Sequence, residues 1–317
     1  MKKKLLFVFN PHAGKSKIKT KLVEILDIFV KAGYQVTVYP TQGIQDGERI
    51  VEQEGTEYDL VVCSGGDGTL NEVVTGMLKL EKRIPIGYIP TGTTNDYAKS
   101  VGIPKGMIKA AQVTVSGTKF HSDIGLFNER TFVYIAAFGV FTDVSYQTKQ
   151  EMKNAIGHTA YIIEGMKRLA TIKSYYMTVK IDDNVLEDEF IYGMVTNSIS
   201  VGGFKNLTGK QVLLDDGLFE VVFVRKPQNP IELQEIMTAI LLDGVQSESV
   251  CAFKAKKVIV EAKEEIPWTL DGEFGGDHKN VIIKNQECSL EIMVDHNNIK
   301  LSSKSISEIE AGIGQGE

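Results

Sequence analysis

Three times within its first hundred residues the chain runs a short apolar stretch into a glycine-bearing turn and then into a helical pattern. The plainest instance is Ser64-Gly65-Gly66-Asp67-Gly68-Thr69-Leu70-Asn71-Glu72, which follows the apolar run Leu60 to Cys63. Beyond it Leu70, Val73, Val74, Met77 and Leu78 recur at +3, +4, +7 and +8, the spacing of one helix face. Three glycines in four residues free the backbone to adopt φ > 0 and to approach a ligand closely. The unpaired N–H groups of a helix start attract phosphate. Thr69 and Glu72 are spaced to form a capping box. Asp67 stands at the carboxyl end of a strand, where open α/β sheets bind ligands. A tight strand-to-helix turn with a solvated Asp67 would use the same residues, and the motif alone does not separate the two readings.

Two companion turns favour the ligand. Asn10-Pro11-His12-Ala13-Gly14-Lys15 follows the apolar run Leu5 to Phe9, and Pro90-Thr91-Gly92-Thr93-Thr94-Asn95-Asp96-Tyr97-Ala98 follows Ile84 to Ile89. Between them a helix pattern (Ile18, Leu22, Ile25, Leu26, Phe29) stops at Gly33, Val36 and Val38 mark a strand, and residues 44–54 read as a weaker helix. Strands alternating with helices predict an open, mostly parallel α/β sheet lobe of Rossmann-like character. Its turns share one edge and can surround a polyphosphate, with hydrogen bonds from Thr93, Thr94 and Asn95 and charge from Asp96 for a metal shell. Neither GxxxxGK[ST] nor GxGxxG is present, which argues against a Walker P-loop and a dinucleotide fold.

After about residue 125 the pattern changes to period two. Tyr175, Met177, Val179 and Ile181 alternate with polar residues, Phe219, Val221 and Phe223 repeat the pattern, and further strands are expected at 132–138, 190–195, 257–260, 281–283 and 290–294. This predicts a larger antiparallel β-sandwich lobe, interrupted by helices near 150–172 and 231–242. The expected division is 1–124 for the α/β domain, 125–300 for the sandwich, with the chain near 295–302 returning to the first lobe, and 301–317 as a flexible polar tail. The length of 317 residues suits two domains. A net charge of −6 disfavours nucleic acid as a partner. No apolar stretch is long enough for a transmembrane helix, and the lysine-led start reads as a buried strand rather than a signal peptide, so a cytoplasmic protein is expected. Cys63, Cys251 and Cys288 are far apart and are expected to be buried free thiols. None of the five histidines has a partner at metal spacing; His12 lies in the first turn and could touch nucleotide.

Gly65-Gly66-Asp67-Gly68-Thr69 with Asn71-Glu72, followed by Pro90-x-Gly92-Thr93-x-Asn95-Asp96, resembles the diacylglycerol kinase catalytic domain, and above all the soluble bacterial lipid kinases. The resemblance covers almost the whole chain. A NAD kinase would share the first motif but not the second. The resemblance implies ATP and Mg²⁺ as cofactors and a lipid alcohol, most simply diacylglycerol, as acceptor. It implies nucleotide contacts from Asn10, Pro11, His12, Ala13, Gly14, Thr41, Gly65 to Glu72, Gly92, Thr93, Thr94 and Asn95, with Asp67 and Asp96 organising metal and water. It makes Glu273, in Trp268-Thr269-Leu270-Asp271-Gly272-Glu273-Phe274-Gly275-Gly276, the general base, with Asp271 either orienting the site or capping the turn. The turn Leu213-Leu214-Asp215-Asp216-Gly217-Leu218-Phe219 reads by itself as hairpin chemistry; the resemblance makes it a structural Mg²⁺ site through Asp216 and the carbonyls of Leu213 and Leu218. Related enzymes suggest a homodimer. Seven lysines and no acid in the first 21 residues, and a second basic–apolar segment from Lys149 to Lys173, would suit transient docking on an anionic membrane surface. The alternatives are a kinase for another acceptor (another lipid alcohol, a sphingoid base or NAD) and a nucleotide-binding regulator without turnover.

Overall fold

The computed structural model describes residues 2–139, 172–198, 212–241 and 247–295. The first lobe rests on four parallel strands, β1 (Lys3–Phe9), β2 (Tyr34–Pro40), β3 (Leu60–Gly65) and β4 (Ile86–Pro90), in the order β4-β3-β1-β2. The inner strands are apolar runs because both of their faces are covered; Leu5 to Val8 are wholly buried. Edge strand β2 instead alternates half-buried and exposed positions. Around the sheet lie α1 (Ala13–Ser16), a 3₁₀ turn (Lys17–Thr20), α2 (Leu22–Lys31), α3 (Asp46–Glu54), α4 (Asp67–Leu78), α5 (Asp96–Ser100) and α6 (Met107–Ser116). The single helix expected from Ile18 is divided at Lys21 (φ −119, ψ 0): residues before it form the 3₁₀ turn and the helix proper starts at Leu22. Gly33 takes φ +89 just past α2, the conformation a helix-ending glycine supplies.

The second lobe is larger, antiparallel and rich in β structure: β5 (Thr118–Phe127), β6 (Arg130–Phe132), β7 (Ile135–Gly139), β8 (Tyr175–Ile181), β9 (Asn184–Thr196), β10 (Phe219–Arg225), β11 (Val250–Ala255), β12 (Lys257–Leu270) and β13 (Glu273–Val294), with α7 (Pro230–Leu241). The strand expected over 132–138 is broken in two, because the N–H groups of Val133, Tyr134 and Ile135 turn away from the ladder onto the Asp271 carboxylate. The short strands expected at 257–260, 281–283 and 290–294 are parts of the two long strands β12 and β13. β9 and β12 each pair with both β7 and β8, so these four strands close around an apolar core. Trp268 sits in it, 4.8 Å from the Phe138 ring and 5.1 Å from that of Phe127.

One strand ties the lobes together. The first half of β13 pairs with β12; its last residues, Leu290–Val294, pair with the start of β5, and Ile292 meets Ile86 of β4 in parallel register. The chain thus reaches the first lobe's sheet just before residue 295. Position 124 lies inside β5, which runs without a break from one lobe into the other. The expected helix near 150–172, the Lys149 to Lys173 segment for all but its last two residues, and the 301–317 tail lie outside the described residues. Cys63 is buried as expected, and burial raises its thiol pKa; Cys251 is half-buried, and Cys288 is exposed on a bulge of β13, at φ +49. No helix among the described residues is long and apolar enough to cross a membrane.

Candidate active site

The three glycine turns meet at the carboxyl ends of β1, β3 and β4. Asn10 N–H donates to the Ser64 carbonyl (2.9 Å), and Thr91 and Gly92 N–H both donate to the Gly65 carbonyl (2.8 and 3.2 Å). The contact is so close that only glycine fits: a β-carbon on Gly14 would lie 1.7 Å from the Thr91 carbonyl oxygen, and one on Gly92 would lie 2.6 Å from Gly66 Cα. Thr41, at the end of β2, joins the same edge through its N–H on the Phe9 carbonyl (2.9 Å). In the first turn His12 N–H donates to Asn10 Oδ1 (2.9 Å), which shapes the entry into α1. Pro11 and Ala13 complete that turn half-buried, and the His12 side chain is exposed.

α4 begins directly on the second turn, with Gly66 as its N-cap and Leu70 N–H closing the first helical bond to the Gly66 carbonyl (3.1 Å). The capping box expected between Thr69 and Glu72 is not formed. Thr69 already lies inside the helix, where its side chain packs over Gly65, and Glu72 caps a different helix. Its two carboxylate oxygens accept N–H from Gln45 (2.8 Å) and Gly47 (3.0 Å), at the start of α3. Asn71, one turn into α4, points its amide to Asp271 Oδ2 (2.8 Å) and the Thr131 carbonyl (3.1 Å) in the second lobe.

In the third turn Thr93 is exposed and Thr94 half-buried, while Asn95 is fixed from within. Asn95 holds φ +49, donates to the Gly92 carbonyl (2.7 Å) and accepts from the Tyr88 hydroxyl (3.3 Å), which also lies 3.2 Å from the Gly65 carbonyl. Tyr88 therefore ties two turns together. The only sequence signal for it was a polar-tipped aromatic in an otherwise apolar strand. Asp67 and Asp96 face one another, with Asp96 N–H 3.4 Å from Asp67 Oδ2 and Lys99 Nζ 2.7 Å from Asp96 Oδ1. Burial first, then the charges of Asp271 and Asp96, push the Asp67 carboxyl up to about 7.

The two acidic turns come to different places. Asp271-Gly272 is a two-residue hairpin between β12 and β13 with both φ positive (+52 and +87), and the next residue is Glu273. Glu273 is exposed at the mouth of the first-lobe edge: a β-carbon on Gly68 would lie 3.9 Å from Glu273 Oε1. The turn carrying Asp216 is held instead by Asp123, a buried residue of β5. Asp123 accepts N–H from Gly217 (2.7 Å) and Cys288 (2.7 Å) and the Asn285 amide (3.2 Å), and its own N–H donates to the Leu214 carbonyl (2.7 Å). Burial pushes the Asp123 carboxyl up to about 6 against these donors. Asp216 Oδ1 accepts from Leu218 N–H (3.0 Å), and Lys254 Nζ lies 3.5 Å from Oδ2 and 3.3 Å from Glu220 Oε1. Glu220 is almost wholly buried and raised to about 7 by that burial. Asp123 and Glu220 were not singled out as site residues in the sequence, although a charge inside the strand Phe219-Glu220-Val221-Val222 was a visible anomaly.

Among the described residues no three His, Cys, Asp or Glu side chains converge to hold a metal. A hard cation here would draw on few carboxylates plus carbonyl and phosphate oxygens, as Mg²⁺ commonly does. The donor chemistry fits in two places. Asp67 Oδ1 and Asp96 Oδ2 are buried without a hydrogen-bond donor, as are the Ser64 and Thr91 hydroxyls. At the second place Asp216 is backed by Glu220, whose Oε2 also lacks one.

The chain is similar to known proteins along nearly its whole length. The diacylglycerol kinase catalytic domain family matches residues 4–127, and the YegS C-terminal NAD kinase beta sandwich-like domain family matches residues 135–292. A diacylglycerol kinase from Staphylococcus carnosus is 36% identical over 280 residues, 87% of this chain and 90% of that protein. One from Bacillus subtilis is 32% identical over 276 residues, 86% of this chain and 91% of the relative. The fold matches the crystal structure of a diacylglycerol kinase from Bacillus anthracis with a TM-score of 0.73 at 22% identity, covering 93% of this chain and 98% of that one. With such identity to whole relatives, and with its glycine turns, acidic turns and two lobes in place, the chain belongs to the diacylglycerol kinase family of lipid kinases.

Proposed function

We propose that the chain transfers the γ-phosphate of ATP to the free hydroxyl of diacylglycerol, giving phosphatidic acid. The observation that carries this reading is the placement of the exposed Glu273 carboxylate over the first turn of α4, on the edge where the three glycine turns meet and where Ser64, Asp67, Thr91 and Asp96 keep buried side-chain oxygens without a hydrogen-bond partner. The triphosphate lies along that edge, held by turns whose shape is fixed before it arrives. The acceptor hydroxyl gives its proton to Glu273 as its oxygen forms the new bond to the γ-phosphorus, and the bond to the β–γ bridging oxygen breaks to release ADP. Asp67 and Asp96 would hold the cation beside the triphosphate, and Asp216 with the carbonyls of Leu213 and Leu218 would hold a second, structural one. When bound, Mg²⁺ supplies charge neutralisation at the phosphate oxygens.

Glu273→Gln tests the reading: ATP affinity stays as it was and lipid phosphorylation falls by about 10²–10⁴-fold. Near-normal turnover refutes the assignment. Access to the acceptor requires contact with a lipid surface. Lys2, Lys3, Lys4, Lys17 and Lys19 are exposed, and α2 adds the exposed Val23 and Val30, seven residues apart on one stripe. Each basic side chain near an anionic surface contributes about 1 kcal/mol, enough for transient docking. Co-flotation with anionic vesicles at low salt is expected, and no binding there removes the docking.

A further inference from the structure

Asp271 has more bonded to it than a hairpin needs. A two-residue turn with both φ positive asks only for residues that tolerate that conformation, and an aspartate there is ordinarily left in water. Here the side chain is turned inward and buried. Its oxygens accept four N–H groups: Val133 (2.7 Å), Tyr134 (2.9 Å) and Ile135 (3.1 Å) from the backbone between β6 and β7, and the Asn71 amide (2.8 Å) from α4. Its own N–H donates to the Ile135 carbonyl (2.9 Å). The hairpin tip is therefore fixed on one side to its own lobe and on the other, through Asn71 alone among these partners, to the helix that starts on the glycine turn. Asn71 is held in turn: its amide reaches the Thr131 carbonyl as well, and Thr75 Oγ1 lies 3.5 Å from its Oδ1.

Glu273 is two residues beyond Asp271 and is the first residue of β13, paired with Leu270 across the hairpin. Its side chain is exposed, and it is followed by the exposed Phe274. Any movement of the hairpin tip relative to α4 moves its carboxylate relative to Gly68 by a similar amount. We infer that Asn71 and Asp271 are positioning residues that fix the Glu273 carboxylate against the α4 N-terminus, so that the base and the phosphate-binding turn keep one geometry across the lobe boundary. This rests on the reading of Glu273 as the base. It assigns Asn71 a role different from a nucleotide contact, since its amide is taken up by the Asp271 carboxylate and the Thr131 carbonyl.

A double-mutant cycle tests it. kcat, KM for ATP and for lipid, ATP dissociation constant and Tm are measured for Asn71→Ala, Glu273→Gln and the pair. Misplacing a reacting group by about 1 Å costs up to about a hundredfold, so Asn71→Ala is expected to lower kcat about ten- to a hundredfold with ATP affinity within about threefold. In the Glu273→Gln background, where there is no base left to place, the same substitution is expected to lower kcat by less than about threefold. Equal factors in the two backgrounds overturn the inference. So does a loss of ATP affinity as large as the loss of kcat, which would make Asn71 a nucleotide ligand. Near-normal turnover of Glu273→Gln overturns the base reading itself, whereas an inactive Glu273→Gln with additive Asn71 effects overturns only the clamp. If Asn71→Ala does not fold, Asn71→Leu, similar in size and without a donor, is carried through the same cycle with the same criteria.

Discussion

The turns Asp216-Gly217-Leu218-Phe219 and Asp271-Gly272-Glu273-Phe274 are nearly the same text used in opposite ways. Each glycine takes positive φ, +73 and +87, although only at the second turn is the aspartate positive as well, at +52. At the second turn the aspartate is the organiser, because the break between β6 and β7 delivers three backbone donors and α4 delivers a fourth. At the first turn the organiser is Asp123, brought by β5, and Asp216 is left with one backbone donor and a lysine. An Asp-Gly pair thus specifies a bend; whether its carboxylate becomes structure or remains available to a cation is decided by which donors arrive from elsewhere.

The contrast can be broken by substitution. Asp271→Ala leaves four donors without an acceptor, each costing about 1–3 kcal/mol before relaxation, and should lower stability to urea by roughly 3–5 kcal/mol. Asp123→Ala, with three donors, should cost about 2–4 kcal/mol. If either loss is as small as that for Asp216→Ala, the two turns are not organised as described. The pH dependence sharpens the point. Asp123 and Asp67 titrate in the folded chain at about 6 and about 7, above an unfolded aspartate near 3.9. Between those values the folded state holds protons that the unfolded state has released. Their contribution is therefore present below about pH 4 and is lost as pH rises through about 6 and 7. The Tm of the ligand-free protein should fall from about pH 5 to about pH 7.5, the lower part of the fall flattening in Asp123→Asn and the upper part in Asp67→Asn. A flat wild-type profile would contradict both shifts. The smallest effect is expected at Asp216: less than about 1 kcal/mol for Asp216→Ala without divalent cation. A gain in Tm on adding Mg²⁺ is expected for the wild type and should be abolished in that variant; an unchanged gain would remove Asp216 from the proposed cation site.

What could be read from the sequence was what depends on neighbours in the chain. Gly65-Gly66-Asp67-Gly68 opens a helix, Gly33 ends one, and Tyr175 to Ile181 alternates, because conformational freedom and side-chain period are local properties. The long strands β12 and β13 appeared only as fragments, since polar stretches such as Lys263-Glu264-Glu265 interrupt the apolar pattern although pairing continues around them. Glu72 shows the other limit. Its spacing from Thr69 fits a capping box, but α3 packs beside α4 and offers its own unpaired N–H groups. Asp123, Tyr88 and Glu220 escaped notice for the same reason: each acts on atoms distant in sequence, and an isolated polar letter in an apolar strand does not name its partner.

The 22 residues of β13 begin at the proposed base and end in the sheet that carries the glycine turns. Neither lobe, then, owns a complete sheet. A chimaera that takes its second half from a relative also replaces Leu290–Val294, staves of the first lobe's own wall, and must match them to β4 and β5. Melting one half likewise strips ladder hydrogen bonds from the other, so the whole chain should lose its structure in a single cooperative step rather than in two.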